Sequence, residues 1–365
     1  MTQGSLAGVG MRYPPICSGG KLADDQVAHA TLQDVARHAG VSLATASRVL
    51  NGSTRRVRED LSERVLKSAT RLSYAVNTHA QAMARGRANI VGLIVHDIAD
   101  PYFSTIAAGV MSAAESHGLL VTLASAERSQ VREIEYLAAF RAQRARAAIL
   151  AGSRWARAAR KGRLGQELAL FERGGGRALL IGQPRLDIDT ISMENRSGAK
   201  QLAIELVSLG YRRFAVLAGP PEFLTARDRA EGFRRGLATA GLVLGDHLVV
   251  TGEFTRDGGY DAMTTFLQTG TSADCVFAVN DVMAVGALAA LRDQGRQVPA
   301  EIAVAGFDDI LTLRDVAPGL TTVRMPLRGI GEQALAMVLE PAPDQPRIRR
   351  VKGHVVIRAS TPPRN

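Results

Sequence analysis

Cysteine is nearly missing from this 365-residue chain: Cys17 and Cys275 are the only two and lie far apart. That excludes a disulfide scaffold and a cysteine-based zinc site, and it suits a reducing compartment. Aromatic residues are only 5%, with a single tryptophan, Trp155. No run of about 18 apolar residues occurs, so no membrane-spanning helix and no membrane partner are expected. The start, Met1–Met11, has neither a basic cluster nor an apolar stretch and does not read as a secretory signal. Catalytic motifs are missing as well: there is no G-x-S-x-G elbow, H-E-x-x-H pair or phosphate loop. The seven histidines are scattered, with no pair at metal spacing. No catalytic residue, cofactor or metal is therefore expected, and the chain does not read as an enzyme. His96 beside Asp97 is the nearest approach to an acid–base pair, and a loop histidine there reads better as a ligand contact or a satisfied surface group.

What is present is a hydrophobic share of 46%, enough for a sizeable core across two to three domains. The net charge is +10, unevenly spread. Residues 31–88 hold ten Lys/Arg against four Asp/Glu, and residues 128–177 hold twelve against four. Residues 89–127 carry −4 and the rest cancels. Two regions are thus nominated for an anionic partner, and the motifs must choose between them.

Residues 1–30 are rich in small residues, contain Pro14-Pro15 and show no periodicity, so they read as a disordered tail. From Thr31 the pattern turns helical. Leu32, Val35, Ala36 and Ala39 share a face, Thr31 caps it, and Asp34 suits the helix start. Gly40 supplies a tight turn, Ser42 caps a second short helix with Ala46, Val49 and Leu50 inward, and Asn51-Gly52 ends it. A third helix buries Leu61, Val65, Ala69 and Leu72. After residue 88 apolar strands alternate with helices: Ile90–Val95, Phe103–His117, Leu119–Ala124, Ala147–Leu150, Ala178–Gly182, Gly198–Leu209, Phe214–Gly219, Val276–Val279, Asp281–Gln294 and Ile302–Phe307. That alternation predicts parallel sheets in two Rossmann-like lobes. The expected fold is a small all-α helix-turn-helix headpiece followed by an α/β core. Gly174-Gly175-Gly176 and the arginines of 128–177 read as a flexible connection and a solvated face.

The segment TLQDVARHAGVSLATASRVLNG, Thr31 to Gly52, is the most informative. Two short helices joined by a glycine turn pack steeply, and the second can enter a major groove. Its outer face offers Leu43, Ala44, Thr45, Ser47 and Arg48. Arg48 can fork onto guanine O6 and N7, worth about 1–3 kcal/mol of discrimination. Ser42, Thr45, Ser47 and Asn51 are short polar groups that suit phosphate oxygens.

This stretch resembles the N-terminus of the LacI/GalR (lactose-repressor/galactose-repressor) family of bacterial transcription regulators. Ala46 stands where that family usually has Val, which shortens a core side chain. The resemblance implies that Leu43, Ala44 and Arg48 read bases, the first two at the variable positions that set operator preference, with Thr31 also on the DNA side. The turn Ser53–Val57 is one residue longer than usual, and Arg58 replaces a capping serine before the third helix. Arg55 and Arg56 suit phosphate rather than base contact. Residues 76–88 correspond to the family's linker, which folds on operator DNA and wedges an apolar side chain into the minor groove. Met83 is the matching residue, and Val76 replaces a frequent proline.

The rest of the chain carries further family motifs: Asp97–Phe103 (DIADPYF), Thr225–Phe233 (TARDRAEGF), Asn280-Asp281, Ala305–Asp309 (AGFDD) and Leu320–Val323 with Pro326 and Gly331. The resemblance implies a periplasmic-binding-protein-like core, with ligand held between the lobes. Arg229, Asn280 and Asp308 would contact effector, as would Tyr102, Phe103, Met193 and Phe254. An amide, a carboxylate and a guanidinium suit sugar hydroxyls, purines or an anionic sugar derivative. Arg229 alternatively pairs with Asp228 or Glu231, Asp308 caps a turn, and the aromatics belong to plain core. Glu194-Asn195 replaces the family's Asp-Asn, and the Gly152–Trp155 loop borders the cleft.

The resulting expectation is a tail (1–30), a DNA-binding headpiece (31–75), a hinge (76–88) and a core (89–365). The N-lobe would take about 89–192 and 324–349, and the C-lobe about 193–323 and 350–361. Function would be that of an effector-controlled repressor: a cytoplasmic, nucleoid-associated homodimer on pseudopalindromic double-stranded operator DNA, with a carbohydrate as effector. No terminal heptads suggest a coiled-coil tetramer. A regulator gated by a protein co-regulator is the alternative, and a solute-binding protein a more distant one.

Overall fold

The computed structural model describes residues 30–50, 57–74, 87–156 and 162–364. The chain divides into two compact units, Met1–Asn77 and Thr78–Asn365.

In the first unit, α1 (Leu32–Ala39), α2 (Leu43–Leu50) and α3 (Glu59–Arg71) close around a small core. Val35, Ala36, Ala39, Ala46, Val65 and Ala69 are buried there. Thr31 and Asp34 form a reciprocal capping box at the start of α1. Gly40 ends that helix in the left-handed conformation (φ 63°), which is why the turn needs glycine. The Arg64 guanidinium of α3 donates to the Ala39 carbonyl at 2.5 Å, and His38 meets Ser68 at 3.0 Å. Arg58 makes no side-chain cap for α3 and pairs with Asp60 instead (3.0 Å).

The second unit alternates strand and helix. It begins with β1 (Ala88–Val95), α4 (Pro101–Ser116), β2 (Leu120–Ser125), α5 (Gln130–Ala142), β3 (Ala145–Ala151), α6 (Arg163–Arg173), β4 (Arg177–Ile181) and β5 (Asp189–Met193). Next come α7 (Asn195–Ser208), β6 (Phe214–Ala218), α8 (Leu224–Thr239), β7 (Val249–Thr251), α9 (Arg256–Gln268), β8 (Cys275–Ala278), α10 (Asp281–Asp293) and β9 (Ala303–Ala305). It closes with β10 (Thr322–Arg324), α11 (Leu327–Leu339), β11 (Ile348–Val351) and β12 (His354–Val356). One sheet runs β11-β5-β4-β3-β1-β2 and the other β7-β6-β8-β9. All pairings within both sheets are parallel. Strands such as β3 and β8 are buried along nearly their whole length, as expected when helices cover both faces. The chain order reverses between β3 and β1 in one sheet and between β6 and β8 in the other, and crevices form at such points.

Three expectations need correction. The lobe limits drawn at 192 and 349 cut through strands: Val351 of β11 pairs with Met193 of β5, so both belong to the N-lobe sheet. Gly174–Gly176 is not a loose connection. It is a tight turn in which the Gly176 amide donates to the Phe171 carbonyl (3.1 Å), Gly175 has φ 89°, and a Cβ on Gly176 would strike the Phe171 ring. Nor is residues 128–177 wholly a solvated face, because Arg154 is only 2% exposed.

Candidate nucleic-acid interface and effector cleft

The three-helix unit leaves the outer face of α2 open. Leu43 is 51% exposed although it is large and apolar, and Ala44 and Arg48 are exposed beside it. A single exposed leucine is ordinary by itself; what suits a partner surface is its place beside Ala44 and Arg48 on one helix face. Arg48 has no acidic partner among the described residues. Ser42 accepts from the Thr45 amide (3.1 Å) and its hydroxyl meets that of Thr45 (2.8 Å), so this pair fixes the helix start. Thr31 is exposed, within its own capping box, and Ser47 is half-buried. Asn51, Arg55, Arg56 and Met83, together with most of the 76–88 linker, lie outside the described residues.

In the core, Tyr102, Phe103, Met193, Arg229, Phe254, Asn280 and Asp308 all line one cavity. Its volume is only about 30 Å³. Its walls come from the carboxyl ends of strands in both lobes. His96 and Asp100 follow β1, Gly152 and Ser153 follow β3, Asn280 follows β8, and Asp308 follows β9.

Arg229 is the polar centre. Its guanidinium binds the Asp308 carboxylate at 2.6 and 2.9 Å, donates to Asn195 Oδ1 (2.9 Å) and to the Val279 carbonyl (2.9 Å), and lies 3.9 Å from the centre of the Phe307 ring. The alternative pairings do not occur: Asp228 pairs with Arg196, and Glu231 with Arg235. Burial pushes the Asp308 carboxyl upward while Arg229 pulls it back. Asp308 sits at φ 121°, a conformation costly for any residue but glycine, held by its backbone bonds to Val323 and Met325. Asn280 caps α10 by accepting from the Met283 amide (2.9 Å). Asp100 caps α4 through the Tyr102 amide, and burial raises its carboxyl to about 6.

His96 is neither a ligand-facing loop residue alone nor a surface group. It is 3% exposed, lies 3.4 Å from Glu133 and abuts Trp155 and Phe103. Burial lowers its pKa and keeps the ring neutral. Glu133 takes a bidentate grip on Arg154 (2.6 and 2.9 Å). Burial alone would raise the Glu133 carboxyl, but Arg154 and His96 hold it at about 2.

The two lobes clasp one another beside the cavity. Backbone bonds join Leu224 to Arg154 (3.0 Å) and Ala156 to Glu222 (2.8 Å), and Trp155 lies against Phe223. Gln183 donates to Thr225 Oγ1 (2.7 Å), and Arg128 donates to the Phe254 carbonyl (3.0 Å). Asp100, Arg128, Phe223 and Thr225 were not singled out in the sequence. Two of them carried a usable signal there: Asp100 in an Asp-Pro pair at a helix start, and Thr225 as the first residue of the TARDRAEGF motif.

Residues 31–77 match the family described as bacterial regulatory proteins, lacI family, and residues 203–361 match a periplasmic binding protein-like domain. The regulator GalR of Escherichia coli K12 is 33% identical over 320 residues, covering 87% of this chain and 90% of GalR. The chain belongs to the LacI family. The regulator CelR of Thermobifida fusca is 33% identical over 85% of the chain and 91% of CelR. The lac repressor dimer bound to operator and an anti-inducer superposes with a TM-score of 0.79 at 26% identity, covering 91% of this chain and 99% of that one. Members of this family are transcription regulators rather than enzymes. Among the described residues no helix of this LacI-family protein is long and apolar enough to cross a membrane.

Proposed function

We propose that this LacI-family protein is a dimeric repressor that reads a pseudopalindromic operator through Leu43, Ala44 and Arg48 and is controlled by a neutral carbohydrate held between its lobes. The carrying observation is the polar balance of the cleft. Arg229 commits four of its five N–H donors to Asp308, Asn195 and Val279, and the Asp308 carboxylate balances its charge, so it attracts an anionic ligand only weakly. Asp100, Asp308 and Asn280 remain as acceptors toward hydroxyls, with Phe103, Phe223 and Phe254 as apolar walls. Hydroxyl-rich rings need that mixture of convergent polar groups and flat apolar faces. CelR, a relative, has been solved with cellobiose.

The cavity is too tight to admit a sugar while the lobes are clasped. Ligand entry therefore requires the lobes to part, and a ligand that favours one lobe arrangement shifts the populations of both. Trp155 sits on the clasp and is the only tryptophan, so it reports that movement. Titration of the full chain with neutral sugars should change Trp155 fluorescence and alter its affinity for a duplex selected from a random pool. A panel in which only sugar acids or phosphates act, or in which duplex affinity never responds, overturns the reading.

A further inference from the structure

A second cavity lies at the junction of the two lobes and shares Met193 with the first. Its volume is about 530 Å³, within the usual range of small-molecule sites. Its chemistry differs from that of the effector cleft. Arg185, Arg196, Arg227, Arg350 and Lys352 converge on it against only two carboxylates, Glu194 and Asp228. Arg196 is engaged by Asp228 at 2.9 Å. The other four cations are exposed and have no ion-pair partner among the described residues. They come from separate segments: the turn after β4, the first turn of α8, the edge strand β11 and the residue just past it. The first turn of the 14-residue α7 also opens here, through Asn195, Arg196 and Ser197. Glu194 stands at its N-cap and makes no side-chain cap bond, so the partial positive end of the helix is left uncapped.

Asp228 offsets part of the charge of Arg196, Arg227 and Arg185, but five cations against two carboxylates leave an excess of positive charge facing one concavity, which an anion relieves. Concave shape and size favour a small molecule over a flat macromolecular surface. We propose that this junction is a second ligand site, distinct from the carbohydrate cleft, that takes a small phosphoryl anion, held chiefly by Arg185, Arg227, Arg350 and Lys352. Arg227 belongs to one lobe and Arg185 and Arg350 to the other, so an occupant would bridge the two lobes.

The test is calorimetric titration of the full chain at low ionic strength with glucose 6-phosphate, inorganic phosphate and glucose. Glucose 6-phosphate should bind, its affinity should fall with added salt, and glucose should not displace it. The double variant Arg227→Gln/Arg350→Gln should weaken it by at least about tenfold while leaving duplex affinity unchanged. Both side chains are exposed, so the variant should fold normally. Competition by inorganic phosphate at equal strength supports the site and identifies free phosphate as its source, whereas much weaker competition assigns it to a phosphate ester. No binding of either compound by about 10 mM, or equal affinity in the double variant, overturns the proposal.

Discussion

Arg48 of the headpiece and Arg229 of the effector cleft are set up in opposite ways. In the headpiece Arg48 stands in solvent without an acidic partner among the described residues, and its neighbour Leu43 is exposed as well. In the core Arg229 and Arg154 are both nearly inaccessible, and each is gripped by two carboxylate oxygens. The difference follows from the partner. A DNA groove supplies its own acceptors and excludes water on arrival, so the reading side chain is best left free until then. A cleft that must discriminate a small neutral molecule needs its polar groups fixed beforehand, because every loose side chain adds an ordering cost to binding. Removing a guanidinium should therefore damage stability in one unit and recognition in the other.

The sharpest way to break this contrast is Asp308→Ala. It leaves Arg229 buried without its counter-charge, which should destabilise the core by about 3–5 kcal/mol. Urea unfolding of the core transition measures it, and a loss below about 1 kcal/mol would mean that the pair is easily replaced. A smaller effect concerns pH. Asp281 is fully buried, accepts from Thr322 Oγ1 (2.7 Å) and the Ile310 amide (3.0 Å), and is pushed up to about 7 by burial and by nearby Asp308. A carboxyl raised in the folded state favours folding at low pH, and that contribution is lost as pH climbs from about 4 through about 7. Glu133 has the opposite sign, stabilising above its ordinary range and losing that effect as pH falls toward 2. Asp281→Asn should flatten the decline in core stability between pH 4 and 7, on the order of a few kcal/mol at most. An unchanged slope would assign the decline to other groups.

Arg48→Ala tests the other half. It should cost about 1–3 kcal/mol of binding to the selected operator, much less on random duplex, and nothing in core unfolding. Equal losses on both duplexes would make Arg48 a phosphate contact.

The unevenness between the units also explains what could be read from the sequence. Caps, turns and apolar faces of α1 to α3 are local, so Thr31, Gly40 and Ser42 were legible from neighbours a few residues away. Seven strands (β1 to β4, β6, β8 and β9) were legible as apolar runs, whereas β5, β7 and β10 to β12 were not, being short or mixed with polar residues such as Asp189, Arg349 and Arg350. The polar trio of the cleft carried motifs, and the structure brings Arg229 and Asp308 together across 79 positions. The Glu133–Arg154–His96 group had no such mark. Glu133 sits in a helix with charged neighbours, Arg154 in a stretch dense with arginine, and nothing local distinguishes the buried Arg154 from exposed neighbours such as Arg144 and Arg146. The clasp through Trp155 and Phe223 was illegible for the same reason, since it exists only when two loops from different lobes meet.

The smallest effect concerns a departure within the headpiece. Arg58 precedes α3 with extended backbone (φ −55°, ψ 140°) and gives the helix no side-chain cap. A serine there can accept from an amide of the first turn, typically a gain of about 1 kcal/mol. Against this stands the loss of the Arg58–Asp60 pair, exposed on both sides and worth little in solvent. Arg58→Ser should therefore raise headpiece stability by a few tenths of a kcal/mol to about 1 kcal/mol. Operator affinity should not follow that gain. If affinity drops while the headpiece melts later, Arg58 is held uncapped because its charge faces the phosphates, and the use of an exposed arginine for DNA extends beyond Arg48.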